Sequence, residues 1–312
     1  MNELEENKKR FSSGELTKPQ FIEAMFESHR TLHAYAECLV NTNLAAITIR
    51  DNQVVAEFRD PQFVMCCPPG DTRIAPIEAF NFGDYEREEF LVVKEIVKRL
   101  GGSNAKFFDI GANAGFYSLA LASHFSEISG VAFEPVPNTF QCLRKNIELN
   151  AVTNVILLNL GLSNKEEEVT FFTYPSQSGA SSMTNNVDSA DLVEVRCKVM
   201  RLDDYCEASN SHADFIKCDV EGAELFVFQG AQSFLAKNTP VVFTEMLRKW
   251  CAKYEYHPND IIAFFKCLGY DCYVPRMGRL APCATVTDAT VETNFLFLHH
   301  SKHKQLISDM EE

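Results

Sequence analysis

The stretch Phe107-Phe108-Asp109-Ile110-Gly111-Ala112-Asn113-Ala114-Gly115-Phe116-Tyr117-Ser118 decides the fold. An apolar strand runs into a glycine-spaced turn, and a helix opens behind it. Further on, Val131-Ala132-Phe133-Glu134-Pro135 ends a second apolar strand with a carboxylate. Open α/β sheets hold a nucleoside in this way. Glycines let the backbone approach the ligand, and an acid at the tip of the second strand accepts hydrogen bonds from ribose hydroxyls.

Working outward, strands and helices alternate. Strands are expected at 106–110, 130–134, 155–160, 215–219 and 241–245, with helices at 115–125, 138–150, 223–236 and 258–268. A polar two-strand excursion, 169–174 and 193–199, interrupts the series. Strands at 270–274 and 295–299 close it without a crossover helix, as an antiparallel pair at the sheet edge. Alternating β and α units imply a mostly parallel sheet covered on both faces. Five parallel units plus an antiparallel pair is the plan of a class I methyltransferase, a seven-stranded Rossmann-like α/β sheet. Upstream, 84–100 reads as an amphipathic helix capped by Gly101-Gly102. Residues 1–40 read as helical, and 44–50 with 54–58 as a hairpin turning at Asp51-Asn52. The chain therefore divides into an N-terminal extension, 1–80, placed to act as a lid, and a main domain, 81–312. Cys66-Cys67 beside Pro68-Pro69-Gly70 reads as loop.

Composition narrows the partners. The 312 residues are 46% hydrophobic and carry a net charge of −14, which argues against nucleic-acid or anionic-membrane binding. No apolar run is long enough to span a bilayer. The charged start, Met1–Arg10, has no apolar segment behind it, so no secretory leader is expected. The eleven cysteines are scattered without a C-x-x-C pair. They read as free thiols of a cytoplasmic protein.

Four segments should converge beyond the carboxyl ends of the strands. In Asp109-x-Gly111-x-Asn113-x-Gly115 the glycine spacing departs from the dinucleotide fingerprint, and an acid precedes the first glycine. An anion there repels a pyrophosphate and favours a ligand bearing an ammonium and a sulfonium. That points to S-adenosylmethionine over NAD or FAD. Glu134 is expected on the ribose diol. Leu162 and Ser163, in the turn after the third strand, are expected against the adenine. Asp219 and Glu221, in Lys217-Cys218-Asp219-Val220-Glu221-Gly222-Ala223-Glu224, stand where cofactor and acceptor meet. Glu224 is better read as first-turn helix chemistry.

These strings together resemble the FkbM family of S-adenosylmethionine-dependent methyltransferases, over about Lys106 to Val274. The resemblance implies the class I fold, S-adenosylmethionine as cofactor, and methyl transfer to hydroxyl oxygens of sugars, polyketides or other small metabolites. It implies that Asp109, Gly111, Asn113, Gly115 and Glu134 line the cofactor, with Asp219 and Glu221 at the acceptor boundary. Gly161-Leu162-Ser163-Asn164 departs from the Ser-Asp pair often found there in the family.

An alcohol has a high pKa, so transfer to it calls for a general base. Asp219 and Glu221 are the candidates. His257 is a second one, although a helix-entry residue before an N1 proline is its simpler reading. Glu245, at the tip of the fifth strand, suits either an acceptor contact or a plain strand end. No spaced His/Asp set calls for a metal, so none is assigned, although the carboxylates near the fourth strand could hold Mg²⁺. The alternatives are a nucleotide-dependent oxidoreductase, or a cofactor-binding module that acts through partners without catalysis.

Overall fold

The computed structural model describes residues 3–185 and 189–311. Part of the excursion loop, 186–188, lies outside them. The N-terminal segment starts with helices α1 (Glu3–Ser12) and α2 (Lys18–Cys38). An antiparallel sheet follows, β1 (Leu44–Arg50), β2 (Gln53–Arg59) and β3 (Gln62–Cys67). The hairpin read from the sequence is thus three strands. Cys66 and Cys67 end β3, because its Phe63, Met65 and Cys66 are buried. Helices α3 (Ala75–Phe82) and α4 (Arg87–Arg99) lead into the main sheet.

The central strands are β4 (Lys106–Ile110), β5 (Ser129–Phe133), β6 (Val155–Leu158), β10 (Phe215–Cys218) and β11 (Val241–Glu245). All five are parallel. Their near-continuous apolar runs suit strands covered on both faces. Between β6 and β10 a second small sheet is built from β7 (Gly161–Leu162), β8 (Glu167–Thr173) and β9 (Val193–Met200). After β11 come β12 (Tyr270–Arg276), β13 (Arg279–Pro282) and β14 (Asn294–His299). The main sheet has eight strands in the order β13-β12-β14-β11-β10-β4-β5-β6. The seven expected are there, in the order of a class I methyltransferase. The eighth, β13, folds back on β12 at Met277-Gly278, both at positive φ. β14 is inserted between β11 and β12 and runs antiparallel to both, so it is not at the edge.

Helices α5 (Phe116–His124), α6 (Pro137–Leu149), α7 (Leu202–Ser209), α8 (Glu224–Gln229), α9 (Gln232–Asn238), α10 (Arg248–Cys251), α11 (Pro258–Cys267) and α12 (Lys304–Met310) complete the chain. The single helix expected after β10 is two, broken at Gly230-Ala231, and α3, α7, α10 and α12 were not foreseen. Side chains of each strand alternate between two cores. Phe107, Ala132 and Phe215 point to the face covered by α4, α5 and the N-terminal sheet, whose Phe58, Phe63 and Met65 share that core. Phe108, Val131 and Ile216 point to the face covered by α7, α8, α9 and α11. Each of these phenylalanines contributes roughly 2 kcal/mol by burial. Among the described residues no helix is long and apolar enough to cross a membrane.

Candidate active site

A cleft of about 650 Å³ opens beyond the carboxyl ends of β4, β5 and β10. Its walls are the Gly111–Asn113 turn, Phe133–Val136 after β5, Gly161-Leu162, the Asp219–Ala223 turn, and Ser178, Gly179, Ser181 and Met183 of the excursion loop.

The glycine turn is fixed from below. Gly111 has φ 74°, and a Cβ there would sit 1.8 Å from the Asp219 carbonyl oxygen. The backbones of the two turns therefore meet at a position only glycine fits. Asn113, also at positive φ, donates its backbone N–H to Glu134 Oε2 at 3.0 Å. Val136 N donates to Glu134 Oε1 at 2.9 Å. Each oxygen keeps a second lone pair for a ligand hydroxyl. Glu134 is 6% exposed, and burial pushes its carboxyl up to about 7 against the pull of those two N–H groups.

Asp109 is not on the cleft wall. Alternation along β4 sends it to the α5 face, where it is 1% exposed. Its Oδ2 accepts from Ser118 N at 3.1 Å and Ser118 Oγ at 2.7 Å, which ties down the first turn of α5. Directly across the ladder stands Lys217, with Nζ 3.9 Å from Asp109 Oδ1. The lysine donates to the Gly111 carbonyl at 3.0 Å and reaches Asp219 Oδ2 at 3.4 Å. It lies 5.5 Å from the centre of the Tyr117 ring. Burial alone would lower its pKa, but Asp219, Asp109 and Glu86 outweigh that and raise it, so it stays a cation. A lysine inside the apolar run Phe215-Ile216-Lys217-Cys218 was the sequence signal for a buried ion pair, and sequence reasoning passed over it. The anion read as facing the ligand is thus neutralised inside the fold, and Asp219 is the acid that faces the cleft.

Gly115 is also off the wall. With φ 93° it begins α5, and a Cβ would meet Leu143 at 2.6 Å. Leu162 lines the cleft. Ser163 does not: it is 4% exposed, and its carbonyl packs against Gly230.

Beyond the glycine turn the acids gather. Carboxylate oxygens of Asp219, Glu221 and Glu245 lie within 4.8 Å of one another. Glu221 is held at positive φ, 55°, which aims it back over the cleft. Its carboxyl is raised well above the usual range by burial, then by Asp219 and Glu224. Glu245 is raised by burial, then by Asp219 and Glu221. Crowding of like charges thus makes Glu221 and Glu245 hold their protons more tightly. Glu224 plays the structural part expected of it: Oε1 accepts from Val220 N and Gly222 N, both at 3.1 Å, bracing the turn. A smaller cavity of about 420 Å³, lined by Met65, Arg73, Tyr85, Tyr117, Lys217 and Asp219 among others, adjoins this corner. Tyr117 Oη donates to Glu86 Oε2 at 2.6 Å behind it.

His257 stands apart. It is exposed and caps α11, its Nδ1 accepting from Asn259 N at 3.2 Å, and it lines neither cavity. The N-terminal segment, by contrast, reaches the site. Ser178 Oγ donates to Asp71 Oδ2 at 2.6 Å and lies 3.3 Å from Asn113 Oδ1. Thr72 N and Oγ1 both donate to the Ser176 carbonyl at 2.9 Å.

The chain matches the family model described as Methyltransferase FkbM domain over residues 109–272, more than half its length. It is 31% identical over 140 residues to Methyltransferase 1 of Beauveria bassiana (strain ARSEF 2860), covering 39% of this chain and 56% of that protein. It is 28% identical over 237 residues to the AMB antimetabolite synthetase AmbE of Pseudomonas aeruginosa, covering 62% of this chain and 11% of that protein. The solved structure of a methyltransferase FkbM from Methylobacillus flagellatus KT aligns with a TM-score of 0.40 at 17% identity, over 62% of this chain and 44% of that one. The chain thus spans from a tenth to about half of the length of these relatives.

Proposed function

We propose that this chain, which belongs to the FkbM methyltransferase family, is an S-adenosylmethionine-dependent methyltransferase that transfers the methyl group to a hydroxyl oxygen of a small metabolite or glycan. The observation that carries this reading is the convergence of Asp219, Glu221 and Glu245, the first two of which line the cleft.

The residues present fit the cofactor. Glu134 offers a buried carboxylate to the ribose diol. Leu162, Phe133 and Val136 supply an apolar slot for the adenine. The backbone of Gly111–Asn113 takes the methionine portion, and Asp219 offers an anion. When bound, S-adenosylmethionine supplies a methyl group already activated on a sulfonium. The protein's part is positioning, exclusion of water and handling of one proton. The glycine turn and the strand-end turn after β10 are locked to each other, so cofactor and acceptor share one rigid frame. An ionised oxygen of the carboxyl cluster would accept a hydrogen bond from the acceptor hydroxyl and take up its proton. Crowding raises the proton affinity of Glu221 and Glu245, which brings a carboxylate closer to the strength such a base needs. Lys217, kept charged by its partners, is unsuited to that role and fixes Asp219. Ser178, Gly179, Ser181 and Met183 of the excursion loop line the cleft, with Ser178 held by Asp71 of the 68–74 strap, and together they serve as a cover for the acceptor. The name of the antimetabolite synthetase relative also favours a small-molecule acceptor.

The test is incubation with S-adenosylmethionine carrying a deuterated methyl group and a panel of polyols, glycosides, phenols and amines. Label on oxygen, lost in both Asp219→Asn and Glu221→Gln, is the expected result. Label on nitrogen overturns the acceptor reading. Cofactor binding without turnover on any class favours a module that acts through partners.

A further inference from the structure

The β12–β13 hairpin carries Cys272 in β12 and Cys283 on the residue that follows β13. Its register pairs Tyr273 with Pro282, which sets Cys272 opposite Cys283 on the next rung. The Cys283 N–H donates to the Cys272 carbonyl at 2.9 Å. Residues hydrogen-bonded across an antiparallel pair have Cα atoms about 5.5 Å apart, inside the range a disulfide bridges. Both thiols are free.

The two sulfurs differ. Cys272 is 8% exposed, whereas Cys283 is half-buried at the rim of the hairpin. The Cys283 thiol lies 3.7 Å from the Thr285 carbonyl, and the interaction of the two side chains pulls Cys283 down to about 7 and pushes Cys272 up. Burial drives other thiols the opposite way: Cys67 and Cys206 both rise to about 12. One accessible, readily ionised thiol with a sheltered thiol beside it is the arrangement of an attacking and a resolving cysteine.

We propose that Cys283 and Cys272 are a peroxide-oxidisable pair whose disulfide pins the edge strand β13 to β12. The Cys283 thiolate attacks one oxygen of a hydroperoxide. The O–O bond breaks, the alcohol or water leaves, and Cys283 becomes a sulfenic acid. The Cys272 sulfur then displaces its hydroxyl, which departs as water with the Cys272 proton. Two thiols and one hydroperoxide give one disulfide, one alcohol and one water. Neither residue lines the cleft or the smaller cavity beside it. The bond bears on the sheet edge, where Leu280 of β13 bridges to Glu311 at the end of the chain.

The experiment is peptide mapping of the full chain after a stoichiometric pulse of hydrogen peroxide. The expected result is a peptide linked through Cys272 and Cys283, reversed by dithiothreitol. In Cys272→Ser the link is replaced by a dimedone adduct on Cys283, and in Cys283→Ser no adduct forms on Cys272. Before oxidation, iodoacetamide at pH 7 labels Cys283 about threefold faster than an ordinary exposed thiol, its larger thiolate fraction outweighing its lower nucleophilicity. The exposed Cys38 and Cys267 are the internal references. Labelling of Cys283 no faster than these two, or a link that joins other cysteines, overturns the proposal.

Discussion

Lys217 and Asp109 face each other across the β10–β4 ladder, with Nζ 3.9 Å from Oδ1. The same ammonium holds the Gly111 carbonyl and Asp219. One buried cation thus serves both the glycine turn and the acid at the cleft. Removing it leaves two carboxylates without their counter-charge in the interior. Lys217→Met is expected to lower the unfolding free energy by about 3 kcal/mol, the cost typical of breaking a buried pair. Asp109→Asn in the same chain should recover part of that. Urea titration measures both, and a loss under about 1 kcal/mol would show that the acids do not depend on the lysine.

Glu134 ties cofactor affinity to pH. Its carboxyl, raised to about 7, is ionised above that and protonated below it. Only the ionised form accepts hydrogen bonds with both oxygens. Affinity for S-adenosylmethionine should weaken as the pH falls from 8 to 6. Glu134→Gln should cost roughly 10–100-fold in affinity, the worth of a hydrogen bond to a charged group, and flatten the profile. Calorimetry across that range decides, and an unchanged slope in the variant would remove Glu134 from the ribose.

The same group has the opposite effect on folding. A carboxyl raised from 4.5 to about 7 in the folded state binds its proton more tightly there than in the unfolded chain. Its contribution to stability is complete below 4.5 and is lost as the pH rises through 7. The ligand-free protein should therefore lose stability between pH 5 and pH 8, by at most roughly 3 kcal/mol from this residue. Comparing thermal melts of the wild type and Glu134→Gln isolates the effect, since the variant lacks this part of the slope.

Glu245 should show a trade of stability against turnover. Its carboxyl crowds Asp219 and Glu221. Glu245→Gln relieves that repulsion and should raise the melting temperature, while kcat falls by about two to four powers of ten if it is the proton acceptor. A variant with a raised melting temperature and full turnover assigns the proton to Asp219 or Glu221 instead.

His257→Ala should leave kcat unchanged and cost about 1 kcal/mol of stability, as the loss of a helix cap does. A large fall in turnover with an unchanged melting temperature would return His257 to the site.

The strand plan was legible because buried parallel strands are written as apolar runs and their glycine turns are local. Sidedness was harder to read. Asp109 looked like a strand-tip acid, but Ile110 follows it, and the alternation of β4 turns Asp109 under α5. Ser163 and Gly115 likewise sit in the turns expected and point into the fold. Glu134, just past the end of β5, and Leu162, at the end of β7, line the cleft. β3 escaped notice because Met65, Cys66 and Cys67 are not strong strand formers and two prolines follow. Glu245 could not be brought to Glu221 from the sequence, since that proximity depends on β11 lying beside β10 and on the positive φ of Glu221.

The Ser178 hydroxyl touches both the strap at Asp71 and the glycine turn at Asn113. This sets a rule for building chimeras. Grafting the first 80 residues of a relative onto this core exchanges Asp71 and Thr72 while leaving their partners Ser176 and Ser178 behind. Such a hybrid loses the Asp71–Ser178 and Thr72–Ser176 contacts and frees Ser178, which also touches the glycine turn, in one step. The transplantable unit is discontinuous: the strap and the 174–183 loop have to move together.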